Sequence, residues 1–343
     1  MSRPGPIVVT GALGFVAGWL ITELLASGER VVGLSLIPTG QSPPEQAGPF
    51  RRLGDDSSSP GGIRYGSAVG EWTCFPSGLD DPAALERFLR DWQPATVYHL
   101  AAQSSAGYSF PNPQETFSCN LGGSLNLLEA IRALPDRERP TLLATGSSEE
   151  YGPHAEGKPL HERMRLKPVS PYGVSKAAQS LLCLQYHRSF DLPIIVTRPF
   201  SHTGPHHDGR FVFPSFAQQI VAIERGEAAP VIAVGDLSPR RDYLDVRDVV
   251  TAYRQLVASG EPGQIYNICS GQALTIQGGL EILLQEARRK IDIATDPDRC
   301  RPSDIPYLVG DGTKLRACTG WRPERDFHVT LREMLDWVRK EHS

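Results

Sequence analysis

The stretch IVVTGALGFVAG, residues 7–18, decides the fold of this chain. Its first four residues are all β-branched and predict a short buried strand. Gly11 and Gly14 predict a tight turn, and the apolar helix that follows ends at residues 27–28. A second strand is predicted at 30–34. Strand, glycine turn, helix and strand in this order are typical of the mononucleotide-binding βαβ unit.

The ends of the predicted strands indicate where a cofactor would lie. Gly11 and Gly14 would let the backbone approach a pyrophosphate, and the helix N-terminus would offer N–H groups to it. The second strand ends in Gly-Leu-Ser-Leu, residues 33–36, which offers neither an acid for a ribose 2′-hydroxyl nor an arginine for a 2′-phosphate. The sequence therefore leaves NAD and NADP both open, with NAD the first choice. Small residues at 101–105 would leave room for the cofactor.

Composition and charge limit the class of protein. The chain has 343 residues, 40% of them hydrophobic, which is enough for one large domain or two joined lobes. A net charge of −4 without a polybasic block gives no reason to expect nucleic acid or a membrane surface as a partner. No apolar stretch approaches the length of a membrane span and no signal segment is present, so a cytoplasmic protein is expected. The six scattered cysteines predict reduced thiols and no metal site.

Alternating helix and strand patterns continue along the chain. Helices are predicted at 82–92 and 112–133, and strands at 96–100, 141–145 and 194–198. This alternation predicts an α/β fold, a Rossmann-type doubly wound parallel sheet with a smaller, mixed C-terminal lobe.

The domain division follows from the same patterns. Residues 1–198 are predicted to be mainly the dinucleotide-binding domain, and 199–343 mainly a sugar-nucleotide lobe that returns some strands to the sheet. Residues 37–76 are dense in Pro, Gly, Ser and Gln and are interpreted as a loop-rich insertion of unknown role. In the second half, a helix is predicted at 275–291.

The stretch SPYGVSK, residues 170–176, begins a long predicted helix and carries Tyr172 and Lys176 on one face. An ammonium beside a phenol lowers a pKa that is ordinarily about 10, so this tyrosine could move a proton near neutral pH. Ser147 follows the strand at 141–145 and could reach the same edge of the sheet. The alternatives are a surface pair for Tyr172 and Lys176 and a turn cap for Ser147. The acids at 149–150 are either solvated turn charges or include one, Glu149, that reaches the site.

At this point the sequence resembles the extended short-chain dehydrogenase/reductase superfamily, in its NAD-dependent epimerase/dehydratase group. The resemblance covers nearly the whole chain and rests on the motifs VTGALGF, YHLAAQSS, GSSEEYG, SPYGVSK, RPFSHTGP, RRDYLDVRDVV and YNICSG. Within the group the chain is most similar to the GDP-6-deoxy-4-keto-mannose reductases and next to the GDP-mannose 4,6-dehydratases. The implied function is reduction of an NDP-4-keto-6-deoxyhexose at carbon 4, of the GDP-rhamnose-forming type. The alternatives are an NDP-sugar 4-epimerase or 4,6-dehydratase with tightly bound NAD, and a non-catalytic cofactor-binding regulator.

The resemblance also implies site residues. Ser147, Tyr172 and Lys176 would be the catalytic set, and Glu149 stands where the dehydratases carry the glutamate that removes a proton from sugar carbon 5. The residues implied at the cofactor are Gly11, Gly14, Phe15, Val16, Ser35, Leu79, Leu100, Ala101, Ala102, Gln103, Tyr172, Lys176 and Pro199. Those implied at the substrate are Ser104, Ser105, Ser148, Ser201, His202, Arg241 and Arg301, with the two arginines on the diphosphate.

Three departures from the family pattern bear on the exact reaction. Ser201 stands where an asparagine is usual, Gly78 replaces an acid near the adenine, and the segment 37–76 is longer than the usual connection. A further alternative for Arg241 and Arg301 is ordinary surface pairing with nearby aspartates. A homodimer through the helix that follows Tyr172 is expected from the resemblance.

Overall fold

The structure is a computed structural model that describes residues 5–37, 40–155, 157–299 and 305–341. Its strands are β1 Ile7–Thr10, β2 Val31–Ser35, β3 Gln46–Ala47, β4 Phe50–Asp55, β5 Ile63–Ser67, β6 Gly70–Pro76, β7 Thr96–His99, β8 Thr141–Thr145, β9 Ile194–Pro199, β10 Ser201–Thr203, β11 Val231–Val234, β12 Arg240–Arg241, β13 Tyr243–Asp245, β14 Ile265–Ile268, β15 Leu274–Thr275, β16 Asp292–Thr295 and β17 Tyr307–Leu308.

Helices alternate with these strands. They are α1 Phe15–Ala26, α2 Pro82–Trp92, α3 Ala106–Ser109, α4 Pro113–Phe117, α5 Gly123–Arg132, α6 Pro171–Phe190, α7 Val212–Glu224, α8 Val246–Ser259, α9 Ile276–Gln285, α10 Thr313–Thr319 and α11 Phe327–Glu341. A π turn, Ser118–Gly122, joins α4 to α5, and a 3₁₀ turn, Ser148–Glu150, follows β8. No helix in the described ranges is long and apolar enough to cross a membrane.

The main sheet has the strand order β14-β9-β8-β7-β1-β2-β6-β5-β4-β3, and β14 to β6 run parallel. The order reverses at β1, as in a doubly wound sheet. Val8 of β1 packs on one face with α2, α5 and α6, while Val9 packs on the other with α1 and α8, because alternate side chains of a strand point to opposite faces. The predicted fold class is confirmed.

The interpretation of 37–76 as loop-rich is wrong. The described part of this segment forms β3 to β6; β6 is the third strand of the parallel sheet, and β3 to β5 extend the sheet in antiparallel fashion. Tyr65 stacks on Trp72 at 5.1 Å between ring centroids, and Phe50 meets Trp72 edge-on, so the extension has an aromatic core of its own. The sequence hides these strands because they are short and turn glycines lie between them, such as Gly48 between β3 and β4, whose φ of +57° favours glycine.

The second lobe has a separate core formed by α7, α9, α11 and β11, and β16 pairs with β11. Helix α9 ends at Gln285, six residues before the predicted end at 291. The chain leaves the helix where the Arg288 N–H donates to the Glu224 carboxylate at 2.9 Å, a tertiary contact that sequence periodicity does not reveal. Two elements of the C-terminal half belong with the main sheet: β14 pairs with β9 as a strand of it, and α8 packs against it.

Candidate active site

The glycine turn after β1 lies directly against the loop that follows β7. Gly11 has a φ of +68°, and a Cβ added to it would stand 2.8 Å from the Cα of Ala101. The Gly14 N–H closes the turn on the Gly11 carbonyl at 2.9 Å, and α1 begins without a side-chain cap on its first N–H groups. Backbone alone therefore forms this surface, which fits the close approach of a dinucleotide pyrophosphate.

Behind that turn, a line of buried side chains connects β1 to the helices. The Ala101 N–H donates to Thr10 Oγ1 at 3.2 Å, and the Thr10 hydroxyl lies 2.8 Å from His99 Nδ1. His99 Nε2 lies 2.8 Å from Ser124 Oγ, whose hydroxyl donates to the Asn120 carbonyl at 2.5 Å. Because the Ser124 hydroxyl donates its proton to the Asn120 carbonyl, it can only accept from His99. The ring proton of His99 therefore lies on Nε2. Burial lowers the pKa of His99 to about 3, so the ring is neutral.

Asn120, in the π turn, connects these buried side chains to the loop after β7 and to α6. Its Oδ1 accepts from the Gln103 N–H at 2.7 Å, and its Nδ2 donates to the Gln103 carbonyl at 3.0 Å and to Ser175 Oγ at 2.9 Å. Ser175 in turn donates to the carbonyl of Tyr172. Gln103 Oε1 is buried and accepts no hydrogen bond from the described residues, so it could accept one from a ligand.

Helix α6 brings Tyr172 to the edge where β8 ends. The helix begins because Ser170 accepts from the Gly173 N–H at 3.0 Å and Pro171 occupies its first position. The Tyr172 phenol is buried and lies beside the side chain of Ser147, which caps the 3₁₀ turn. Ser147 is thus both a turn cap and a neighbour of the phenol.

The pKa of Tyr172 differs from the sequence expectation. Burial raises it well above 10, the neighbouring Ser147 side chain lowers it, and the charges of Glu149 and Glu150 raise it further. The expected lowering by Lys176 is wrong for this arrangement, because the ammonium is directed to the sheet: Nζ donates to the Thr145 carbonyl at 2.7 Å and to a glutamine of α6 at 2.9 Å. Burial lowers the pKa of Lys176 to about 8.

The two adjacent glutamates have different surroundings. Glu149 is half-buried, its charge acts on Tyr172, and its carbonyl would stand 2.8 Å from a Cβ added to Gly173. Glu150 is fully buried and paired with Arg198, whose Nε donates to its Oε2 at 2.7 Å. Only Glu149 therefore fits a role that requires contact with a substrate.

Comparisons with known proteins agree with this geometry. The family model for GDP-mannose 4,6 dehydratase matches residues 8–334. The chain belongs to that family. The GDP-6-deoxy-D-mannose reductase of Pseudomonas aeruginosa is 40% identical over 253 aligned residues, which cover 72% of this chain and 83% of that enzyme. The dTDP-glucose 4,6-dehydratase of Xanthomonas campestris pv. campestris is 30% identical over 349 aligned residues, covering 96% and 92%.

Solved structures extend the likeness over almost the full chain. RMD from Pseudomonas aeruginosa, complexed with NADPH, matches with a TM-score of 0.79 at 31% identity and covers 98% of this chain and 100% of its own. The UDP-glucose 4-epimerase of Thermus thermophilus, in complex with NAD, has a TM-score of 0.79 at 29% identity, with coverages of 97% and 99%. The resemblance to the extended short-chain dehydrogenase/reductases is confirmed, and the chain is an NAD(P)-dependent nucleotide-sugar enzyme of that superfamily.

The remaining residues that the family pattern implies at the cofactor lie along one edge of the sheet. Ser35 ends β2 and Pro199 ends β9, while Leu100 to Gln103 follow β7. Leu79 follows β6, and its carbonyl accepts from the Asn126 side chain at 2.7 Å. Phe15 stacks on His207 of the second lobe at 4.1 Å between ring centroids.

The residues that the family pattern implies at the substrate are more dispersed. Ser104 is exposed, Ser105 caps α3 by accepting from the Tyr108 N–H, and Ser148 is buried in the 3₁₀ turn. Ser201 and His202 lie on β10, and the His202 ring stacks over Phe15 at 6.4 Å.

Arg241 is buried rather than on the surface. It lies on β12, and its Nη1 donates to the carbonyls of Arg240 and Ile305. The neighbouring Asp242 accepts from the Ser270 N–H and hydroxyl at 2.8 and 2.6 Å. Arg301 lies outside the described residues.

Sequence reasoning missed the line formed by Thr10, His99, Ser124 and Asn120. All four are buried polar residues, and buried polar side chains need partners. Thr10 and His99 lie inside two of the quoted motifs, and a polar residue at the end of an apolar strand was the signal available.

Proposed function

We propose that this protein reduces a nucleoside-diphosphate 4-keto-6-deoxyhexose at carbon 4, in a reaction of the GDP-rhamnose-forming type. The observation that carries the proposal is the buried Tyr172 phenol beside Ser147, at the edge of the sheet where β8 ends. The 40% identity to the GDP-6-deoxy-D-mannose reductase supports the choice of substrate.

In this proposal the chain supplies position and a proton. A reduced nicotinamide dinucleotide, when bound, would supply the hydride for carbon 4 of the sugar. Ser147 holds the carbonyl oxygen by a hydrogen bond, and Tyr172 gives its phenolic proton to that oxygen as negative charge develops. Lys176 binds a ribose of the cofactor through the ammonium proton that is not donated to Thr145 or Gln179. Burial, which raises the pKa of the phenol, keeps the proton on Tyr172 until it is needed.

Several chain segments would hold the two ligands. The backbone at Gly11 and Gly14 and the start of α1 would hold the pyrophosphate, and Ala101, Ala102 and Gln103 would border the cofactor. Arg241 would hold the substrate diphosphate from the second lobe, where a planar guanidinium suits two phosphates. The described residues do not favour one dinucleotide, because Ser35 at the end of β2 neither repels nor pairs with a 2′-phosphate.

One observation favours a 4,6-dehydratase as a second candidate. The charge of Glu149 acts on Tyr172, and the turn that carries it packs on the first turn of α6. A carboxylate so placed could remove a proton from sugar carbon 5, with NAD held throughout. A 4-epimerase would use the same Tyr172 and return the hydride to the other face of carbon 4.

One experiment separates these reactions. The freshly purified protein is analysed by mass spectrometry for bound dinucleotide, then incubated with a panel of sugar nucleotides with and without NADPH or NADH. We expect a 4-keto sugar to gain two hydrogens only when a reduced dinucleotide is added. Loss of water from the hexose without added cofactor would identify a dehydratase, and an isobaric product an epimerase. No turnover with any substrate would leave only the cofactor-binding regulator.

We also propose a homodimer through α5 and α6. Leu181 is 57% exposed and Val174, two turns earlier on the same face, is 41% exposed; Leu125 of the neighbouring α5 is 40% exposed. Apolar side chains in such a patch are typical of subunit interfaces. Light scattering of the wild type should give the dimer mass and Leu181→Arg the monomer mass; a monomeric wild type at micromolar concentration would contradict the proposal.

The cytoplasm is the compartment that we propose for this reaction. The cysteines that the structure describes are unbridged, among them the exposed Cys119, as is usual in a reducing compartment. Fractionation of the native host would test this assignment: recovery in the periplasmic or secreted fraction would contradict it.

A further inference from the structure

Glu150 joins three elements of the candidate site through one carboxylate. Its Oε1 accepts from the Ser147 N–H at 2.9 Å and from Ser180 Oγ at 2.9 Å, and its Oε2 accepts from Arg198 Nε at 2.7 Å. These partners belong to the 3₁₀ turn, to α6 and to β9. Ser180 lies one turn beyond Lys176, on the side of α6 that also carries Tyr172.

The surroundings leave room for this carboxylate and for little else. A Cβ added to Gly146 would stand 2.3 Å from Glu150 Oε1 and 2.8 Å from the Thr197 carbonyl. Glu150, Ser180 and Arg198 are each at most 2% exposed. The Ser147 N–H and Arg198 Nε can only donate, so the ionised carboxylate, which accepts from both, fits this site even though burial raises the pKa of Glu150.

The charge of Glu150 also acts on the nearby lysine. Burial lowers the pKa of Lys176 and Glu150 raises it; the other titratable groups that face the ammonium are Cys119 of the π turn, Cys183 of α6 and His99 of β7. Burial raises the pKa of both thiols and lowers that of His99 to about 3, so these three are neutral near pH 7. Of the four, Glu150 carries the charge that keeps Lys176 protonated.

We propose that Glu150 is a positioning residue, which locks Ser147 to α6 and holds Lys176 in its cationic form at neutral pH. It acts through those residues and does not contact the substrate. The inference rests on the proposed function for the roles of Ser147 and Lys176, and it distinguishes the buried Glu150 from Glu149, which is half-buried.

The test is Glu150→Gln, with Glu224→Gln as the matched control. Glu224 is a partly buried glutamate that also pairs with an arginine, Arg339 at 2.7 Å, but between α7 and α11 of the second lobe. Both variants leave a guanidinium without its carboxylate and should lose thermal stability. We expect E150Q alone to lose kcat, by about 100-fold, since small misplacements of reacting groups have effects of this size.

The dependence of cofactor affinity on pH gives a second readout that a merely structural role would not move. NADPH fluorescence titrations from neutral to alkaline pH should show affinity falling as Lys176 deprotonates. In E150Q this fall should begin about one pH unit lower than in wild type, and in E224Q at the wild-type pH. The titration needs no sugar, so it tests this proposal even if the wild type fails to turn over a 4-keto sugar.

If E150Q does not fold, Ser180→Ala removes the contact to α6 and leaves the ion pair intact. Ser180→Ala should lower kcat, and its affinity for NADPH should begin to fall at the same alkaline pH as in the wild type. The proposal is overturned if folded E150Q matches E224Q in both kcat and the pH of that fall, or if S180A matches wild type in kcat.

Discussion

Replacing Tyr172 by Phe would remove one oxygen atom from the candidate site and keep the ring in its place. The phenol is buried at the first turn of α6, beside Ser147. A positioned general acid contributes about 10² to 10⁴ in rate, so we expect kcat to fall by about 10³, or ~4 kcal/mol in activation free energy. One lost hydrogen bond should lower the free energy of unfolding by only ~1 kcal/mol, so Y172F should still fold and bind the dinucleotide.

Tyr186→Phe is the matched control for this prediction. Tyr186 is also buried on α6, and its hydroxyl donates to the Glu129 carboxylate, away from the edge where Tyr172 lies. Y186F should lose at least as much stability and keep kcat. The assays are nicotinamide absorbance for turnover, fluorescence for cofactor binding and circular dichroism for thermal unfolding. A folded Y172F protein that keeps more than about a tenth of wild-type kcat would refute the assignment of Tyr172 as the acid.

Two further predictions follow from the backbone and from burial. Gly11→Ala should weaken dinucleotide binding at least about tenfold in fluorescence titrations, because the new Cβ meets the backbone of Ala101 and φ is positive; Gly28→Ala, with φ of +80° and nothing within 4 Å of its Cβ, should keep wild-type affinity. The pKa of His99 is about 3 in the folded protein and 6.5 otherwise, so the unfolded chain binds the additional proton. The free energy of unfolding should therefore fall as pH decreases from about 6 to 4, and in urea titrations His99→Gln should make that slope shallower by about 1.4 kcal/mol per pH unit.

The parts of the fold that sequence predicts well are those with local start signals. Helix α6 begins at Pro171, as the serine cap and the proline indicate, and both signals act within one turn. The sequence does not predict the extension β3 to β5, because its strands are stabilised by contacts with one another. The stacking of Tyr65 on Trp72 joins residues of paired strands, and in the sequence the turn glycines between them dominate the pattern.

Within the candidate site, the sequence predicts which residues lie close together better than it predicts their pKa shifts. Ser147 and Tyr172 converge because β8 ends and α6 begins at the same edge, which topology alone dictates. The direction of the phenol pKa depends on where the Lys176 ammonium points. The Lys176 ammonium donates to the Thr145 carbonyl of the sheet at 2.7 Å. The spacing of residues along α6 does not reveal that contact. The catalytic roles of these residues stay predictions until variants are assayed.

The two adjacent glutamates show what a residue pattern does not predict, namely which of two identical side chains is buried. In the 3₁₀ turn, successive side chains point about 120° apart, so one of Glu149 and Glu150 can face the phenol while the other enters the interior. In the sequence the two residues are chemically identical, and either orientation satisfies the pattern. The choice is made by Arg198 on β9, whose guanidinium needs a buried carboxylate, and by Gly146, which leaves the space for one. Because both requirements come from tertiary packing, exchange of roles between the two glutamates is excluded in the folded chain: Glu149→Gln should alter chemistry at the substrate, and Glu150→Gln the pH at which Lys176 loses its proton.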